Sequence, residues 1–244
     1  MSNYNGQFQT LTVEGRAFFI GDLHGERKQL SQLLSAVNFA PERGDRVICV
    51  GDLIDRGQDS VACLDLLDLP WFHSVLGNHE AMLMDALTGD AENLNSWLRC
   101  GGAWYLDLEE PERIAMMAKA ERLLPQVPFG LEVQLPSLEA RIGVVHAECP
   151  TDHWAEFREA CEYPLNHHQQ FACLWSRDTL REMTKGAYPP PLPGIDAVVM
   201  GHTPQQNLKS HGNRVWLDTG SGYSQGRLSL LSAEQILELV RCPA

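Results

Sequence analysis

The sequence lacks any long apolar run: nothing in its 244 residues approaches the roughly 18 consecutive apolar residues that a membrane-spanning helix needs. It also lacks an excess of positive charge. Nineteen Lys and Arg stand against 32 Asp and Glu, a formal net charge of −13. That balance argues against a nucleic-acid binder or an anionic-membrane binder, since both reward a basic face. No Cys-x-x-Cys pair occurs among the seven cysteines, at 49, 63, 100, 149, 161, 173 and 242. Their odd number, and the apolar runs that hold several of them, point to reduced thiols that act as small hydrophobes. The amino terminus, MSNYNGQFQT, has neither the basic nor the apolar segment of a secretory signal. The expectations are a cytoplasmic location, no membrane and no nucleic acid as partner, and one sizeable domain over 1–244.

What the chain has is an ordinary globular composition, 44% hydrophobic and 21% charged, in an alternation of short apolar runs and helical patterns. Runs at 17–20, 47–50 and 71–76 read as strands, with helical spacing between them at Leu30, Leu33, Leu34 and Val37, and then at Val61, Leu64, Leu66 and Leu67. A helix starts over 80–87, and 91–124 is mostly helical with a break at Cys100-Gly101-Gly102. Strand patterns follow at 131–135, 141–145, 197–200, 214–217, 227–231 and 236–240, with helices at 153–161 and 167–175. The opening predicts parallel strands and the later strand-rich part predicts antiparallel members, so the fold class is mixed α/β. The nearest thing to a linker is KGAYPPPLPG at 185–194, an extended loop too short to mark a domain boundary.

Five apolar runs end in residues suited to metal binding: FFI-GDLHG, VICV-GDLIDRG, SVL-GNHE, VV-HAE and VVM-GHTP. In four of them a glycine separates strand from polar residue, which lets the backbone turn sharply beside a ligand. The carboxyl ends of strands in an open α/β sheet line a crevice, so these scattered residues can share one rim. They are Asp22, His24, Asp52, Asn78, His146 and His202, with Asp55, Arg56 and His79 close by. Carboxylate, imidazole and amide without thiolate suit divalent ions such as Mn²⁺, Fe²⁺ or Zn²⁺. Six ligands exceed one closed tetrahedral site and suit two ions that share a bridging carboxylate, a pair able to clamp a phosphoryl group. A lone Asp or His in such a position is usually a turn, a cap or a satisfied core residue; five in register at strand ends are not.

GDLHG, GDLIDRG, GNHE, a strand ending in His, and GHTP, in that order, resemble the metallophosphatases of the serine/threonine phosphoprotein phosphatase family, the bacteriophage and bacterial members most of all. PWFHSVLGNHEAMLMDAL, NSWLRCGGAWY, HQQFACLWSRD and LDTGS are similar too, so the resemblance covers roughly 16–231. It implies a central β-sandwich of two mixed sheets flanked by helices in four layers, αββα. It also implies two divalent ions, Mn²⁺ before Fe²⁺ or Zn²⁺, with Asp22 and His24 on the first, Asp52 bridging, and Asn78, His146 and His202 on the second. His79 would be the general acid, oriented by Asp55. Arg56 would bind the phosphate, joined by Arg177 of WSRD and by Asn78. The implied reaction is hydrolysis of phosphoserine and phosphothreonine in proteins, with phosphotyrosine as a further substrate, by in-line attack of a hydroxide held at the dinuclear centre.

Cationic positioning of a phosphomonoester and an acid for a poor alkoxide leaving group are also what the chemistry itself demands. Two metals and two arginines would make the positive field local in an acidic protein. Two other readings remain. Symmetric dinucleoside tetraphosphate hydrolases share the GD-x-H-G and GNH layout, but Asp55, Arg56 and Glu80 favour the monoesterase. A non-catalytic phosphopeptide-binding module would show erosion of a ligand or of His79, and none is eroded. The HAE after the fourth of the five runs departs from the glycines that many eukaryotic members carry there. Tyr223 in GSGYSQG lies in the loop before the last strands and receives no role, and no dedicated regulatory subunit is expected.

Overall fold

Neighbouring residues of a strand point to opposite faces, and here both faces of each central strand are apolar. A computed structural model describes residues 7–241, so Cys242 and most of the amino-terminal segment MSNYNGQFQT lie outside the described residues. One sheet has the order β1 (Phe8–Thr12), β5 (Gly130–Leu135), β6 (Ala140–Val145), β7 (Ala197–Met200), β9 (Arg214–Trp216) and β8 (Lys209–His211). Within it β6, β7 and β9 run parallel, with Val144 opposite Val199 and Met200 opposite Trp216. The other sheet has the order β10 (Leu230–Ser232), β2 (Ala17–Ile20), β3 (Arg46–Cys49) and β4 (Phe72–Ser74). Its last three strands are parallel and β10 is antiparallel to β2.

Phe19, Ile48 and Val50 face inward and meet Val144, Val199 and Val215 of the larger sheet, so the space between the sheets is one core. Ile20, Val47 and Cys49 alternate with them and face outward. There they pack under α1 (Arg27–Ala36), α2 (Ser60–Leu64), α3 (Asn78–Leu87), α4 (Ala91–Arg99) and α5 (Glu110–Leu123) through Leu30, Leu64, Leu83, Trp97 and Met116. On the far side Val145, Val198 and Met200 pack against α6 (Trp154–Ala160), α7 (His167–Trp175) and α8 (Asp178–Thr184). The layers are therefore helix, sheet, sheet, helix, as the mixed α/β expectation has it. Each fully buried Leu, Ile, Val or Phe in these cores is worth about 1.5–3 kcal/mol.

One expected strand is a helix. Residues 236–240 lie in α9 (Ala233–Arg241), whose Ala233, Ile236 and Leu237 join the inter-sheet core, with Val240 packed against it. The spacing i, i+3, i+4, i+7 is helical, and a reading of 236–240 alone hides it. A reciprocal cap starts the helix: the Ser232 N–H donates to Gln235 Oε1 at 2.8 Å, and the Gln235 N–H donates to Ser232 Oγ at 3.4 Å. The six described cysteines are all free. Among the described residues no helix is long and apolar enough to cross a membrane.

Candidate active site

The parallel strands of both sheets end at one place, and the residues just beyond them form the site. Asp22 and His24 follow β2, Asp52, Asp55 and Arg56 follow β3, and Asn78 and His79 open α3 after β4. His146 follows β6 and His202 follows β7. Backbone bonds zip the loops together: the His24 N–H donates to Asp52 O at 2.8 Å and the Gly201 N–H to His146 O at 2.7 Å. Two of the glycines are there because a side chain has no room. A Cβ at Gly77 would lie 2.2 Å from Asp52 Oδ1, and one at Gly201 would lie 2.0 Å from Asp22 Oδ1.

The backbone is bent hard around these side chains. His24, Asp52, Asp55, Arg56 and His202 have φ of 42°, 50°, 76°, 66° and 67°, all in the left-handed region. Such residues cost on the order of 1–3 kcal/mol each and persist only where the surroundings over-determine them. Glu80 supplies much of that determination. Its buried carboxylate accepts the N–H groups of Asp52, Leu53, Ile54 and Gly77 at 2.7–3.3 Å, which ties the GDLIDRG and GNHE loops together.

Two groups of side chains in the site are able to hold a metal ion: His24, Asp52 and His79, and Asp52, His146 and His202. Their ligand atoms lie within 4.8 Å of one another in each group, and Asp52 belongs to both. Asn78 Oδ1 stands 2.9 Å from His146 Nε2 and 2.8 Å from His202 Nδ1, so it joins the second group. Asp22 is farther from the first, with Oδ2 4.0 Å from His24 Nε2.

The donor set fits divalent cations. His24 Nδ1 pairs with Ile54 O at 2.9 Å, His146 Nδ1 with Val50 O at 2.8 Å, and His202 Nε2 with Trp175 O at 3.1 Å. A carbonyl can only accept, so each ring donates there and turns a bare nitrogen to the cluster. Burial pushes the pKa of His24 and of His202 down to about 3 and lowers that of His146, which keeps the imidazoles neutral. Burial alone would raise Asp52, but His146, His79 and His24 outweigh it and hold its carboxyl well below the usual range. Burial drives Asp22 well above that range, with Asp218 and Asp52 adding to the rise. Three buried carboxylates in one place cannot all stay charged without countercharge, and two cations would supply it.

Asp218 was not among the expected residues. It follows β9, is pushed up to about 6 by burial above all, and acts on Asp22 across the site. The signal was present: VWLDTGSG is a sixth apolar run that ends in a carboxylate and a glycine.

Beside the clusters lies a buried histidine–carboxylate pair. His79 Nδ1 pairs with Asp55 Oδ2 at 2.6 Å, and His79 Nε2 faces Arg56 Nη2 at 3.0 Å and Asp52 Oδ2 at 3.8 Å. Burial works against a charged His79 imidazole, but Asp52 and the bond to Asp55 outweigh it and its pKa rises. Asp55 is fully buried and takes two further donors, Trp97 Nε1 at 3.0 Å and Trp104 Nε1 at 2.8 Å. These indoles sit in NSWLRCGGAWY, and nothing in that motif alone ties them to Asp55.

A cleft of about 440 Å³ opens over Asp52, Asn78 and His79, with Arg56 and Arg177 in its lining. The Arg56 guanidinium reaches His24 Nε2 and lies 4.7 Å below the Tyr223 ring, so the unassigned tyrosine packs on it. Arg177 Nη2 donates to His202 O at 3.4 Å. Glu148 of the HAE segment holds the arginine's loop, accepting from Ser176 Oγ and from the Thr179 N–H, both at 2.7 Å.

Residues 15–206 match the family model of calcineurin-like phosphoesterases. The chain is 36% identical over 214 residues to serine/threonine-protein phosphatase 2 of Escherichia coli (strain K12), covering 86% of this chain and 89% of that protein. A symmetrical bis(5'-nucleosyl)-tetraphosphatase of Haemophilus ducreyi is also 36% identical, but over 74 residues, 30% of this chain and 27% of that one. A crystal structure of a candidate diadenosine tetraphosphatase shares the fold, with a TM-score of 0.63 at 24% identity over 93% of this chain and 94% of that one.

Proposed function

The chain belongs to the calcineurin-like phosphoesterase family, and from that membership we propose that it is a protein serine/threonine phosphatase of one domain, 1–244. Its substrates are phosphoserine and phosphothreonine in proteins. The observation that carries this reading is the Asp55–His79 pair, with Nδ1 and Oδ2 2.6 Å apart beside Arg56 at the cleft. A serine alkoxide is a poor leaving group and needs a proton at the moment of cleavage. The phosphate leaving group of a polyphosphate needs it far less. The length of the match to the Escherichia coli phosphatase, against the short match to the tetraphosphatase, supports the same choice.

Asp22 and His24 would hold one divalent ion, Asn78, His146 and His202 a second, and Asp52 both; Mn²⁺ is proposed, on a donor set that also admits Fe²⁺ and Zn²⁺. Bound there, the ions would neutralise phosphoryl charge and make water a nucleophile near neutral pH. Arg56 and Arg177 bind the non-bridging phosphate oxygens, which their planar forks match. The P–O bond to the serine oxygen breaks as water's oxygen forms the new bond in line. His79 Nε2 delivers the proton that the departing oxygen needs, while Asp55 Oδ2 keeps the other ring proton on Nδ1. The free thiols support a reducing compartment, and the cytoplasm is the location we assign.

The test strips the protein with a chelator, reloads single metals and compares phosphoserine peptides with diadenosine tetraphosphate. The expectation is no turnover after stripping, recovery with Mn²⁺, and higher kcat/KM on the peptides. A protein that cleaves diadenosine tetraphosphate and leaves the peptides intact would overturn the assignment.

A further inference from the structure

Two arginines face one phosphate, yet the cleft has a third. Arg99, in the last turn of α4, lines the same cleft as Arg56 and Arg177, and Asp52 is the single carboxylate among the lining residues. Arg99 is exposed, and its side chain makes no hydrogen bond or ion pair among the described residues. Its backbone is nevertheless fixed against the catalytic loop from both sides. Two residues before it, buried Trp97 donates to Asp55 at 3.0 Å; two residues after it, Gly101 O accepts the Arg56 N–H at 3.2 Å. The approach is close enough that a Cβ at Gly101 would lie 3.1 Å from Arg56 Cγ.

A phosphomonoester dianion is satisfied by two guanidinium forks and the countercharge of the metal groups. The third cation, held at a set place on the rim, is available to a second anionic group on the same substrate. We propose that Arg99 is a specificity-determining residue that selects phosphopeptides carrying an acidic side chain beside the phosphorylated residue. The inference rests on the protein phosphatase reading above. In a chain of net charge −13, an acidic peptide is otherwise repelled, so a cation at the mouth of the site has a strong effect on which peptides enter.

The experiment measures kcat/KM on phosphoserine peptides that differ only in the flanking residue, Glu, Gln, Lys or a second phosphoserine, at low and high salt. For the wild type, Glu is expected to exceed Gln by about fivefold at low salt, equivalent to about 1 kcal/mol, the upper end for an exposed pair. The preference should shrink at 0.5 M salt, where screening acts within about 4 Å. Arg99→Gln is expected to bring the Glu-to-Gln ratio to about one, and Arg99→Glu to favour the Lys peptide. A merely structural role for Arg99 would lower all peptides alike and leave the ratios standing. Equal rates for Glu and Gln peptides in the wild type, or a ratio that survives Arg99→Gln, overturns the proposal. So does a preference confined to the doubly phosphorylated peptide, which would assign Arg99 to a second phosphate instead. Should the wild type hydrolyse an aryl phosphate and none of the peptides, the protein phosphatase reading itself falls, and this inference with it.

Discussion

Trp104→Phe removes one N–H from Asp55 and changes nothing that touches substrate. Asp55 has three donors in the structure, His79 Nδ1 at 2.6 Å, Trp104 Nε1 at 2.8 Å and Trp97 Nε1 at 3.0 Å, and no exposed surface. A hydrogen bond to a buried charged acceptor contributes about 1.5–3 kcal/mol to stability. Only the part that differs between ground and transition state reaches kcat, and a general acid supplies about 10²–10⁴-fold in total. Losing one of two indole restraints on the orienting carboxylate should therefore slow a phosphoserine peptide by about tenfold, or ~1.4 kcal/mol. An aryl phosphate with a good leaving group needs little protonation and should slow by less than about threefold. The assay is kcat for both substrates with the metal content of each preparation measured in parallel. Equal slowing of the two substrates at unchanged metal content would falsify the idea that the indoles act through Asp55 on the proton donor. A variant that retains the full wild-type rate on the peptide would do the same.

Gly201→Ala puts a Cβ where Asp22 Oδ1 now sits, 2.0 Å away; the expected outcome is loss of bound metal by elemental analysis together with loss of turnover, and full metal content would show that the crowding is relieved elsewhere. Asp45→Asn tests a structural hub. Asp45 accepts from the Arg16 N–H at 3.0 Å, from Arg16 Nη2 at 2.6 Å and from the Ala40 N–H at 2.9 Å. Burial opposes its charge, but these bonds outweigh it and its pKa is lowered. A lowered folded-state pKa means stability that is present above the unfolded value of about 3.9 and is lost as pH falls through the folded value. Thermal denaturation should show Asp45→Asn less stable by about 1–3 kcal/mol at pH 7, with the gap to wild type closing below about pH 4; a gap that is constant with pH would remove the charge from the explanation.

Most of the site was legible because its residues punctuate apolar runs. Asp22, Asp52, Asn78, His146 and His202 each end such a run, and the structure brings them to one rim beside His24, His79 and Arg56. Asp218 obeys the same rule; LDTGS adds to the resemblance, but that segment by itself assigns its carboxylate no role. Trp97 and Trp104 could not be found that way, since a buried indole at helical spacing looks like core until its N–H partner, 42 and 49 residues away, is known. Strand β1 also left no trace: Phe8–Thr12 mixes half-buried and exposed positions, and only its parallel pairing with β5 makes it a strand. The strand expected over 236–240 failed for the opposite reason, because a window of five residues is too short to tell period 2 from period 3.6.

The two halves of the site differ in how much chain they span. The half proposed to donate the proton, Asp55, His79, Trp97 and Trp104, lies within one contiguous stretch of the early chain, with partners 24 to 49 residues apart. Of the residues proposed to hold ions, Asp22, His24 and Asp52 lie in that same early stretch, whereas His146 and His202 follow strands of the other sheet, with His202 bonded to Asp22 across 180 residues. Contacts of such long range form late, because the loop they close must be ordered first. A chain emerging from the ribosome could thus assemble the His79–Asp55 pair and the first metal-capable group long before the second. Completion of the second group then marks the moment at which the two sheets have closed on each other, and a fragment that ends before His202 would lack it.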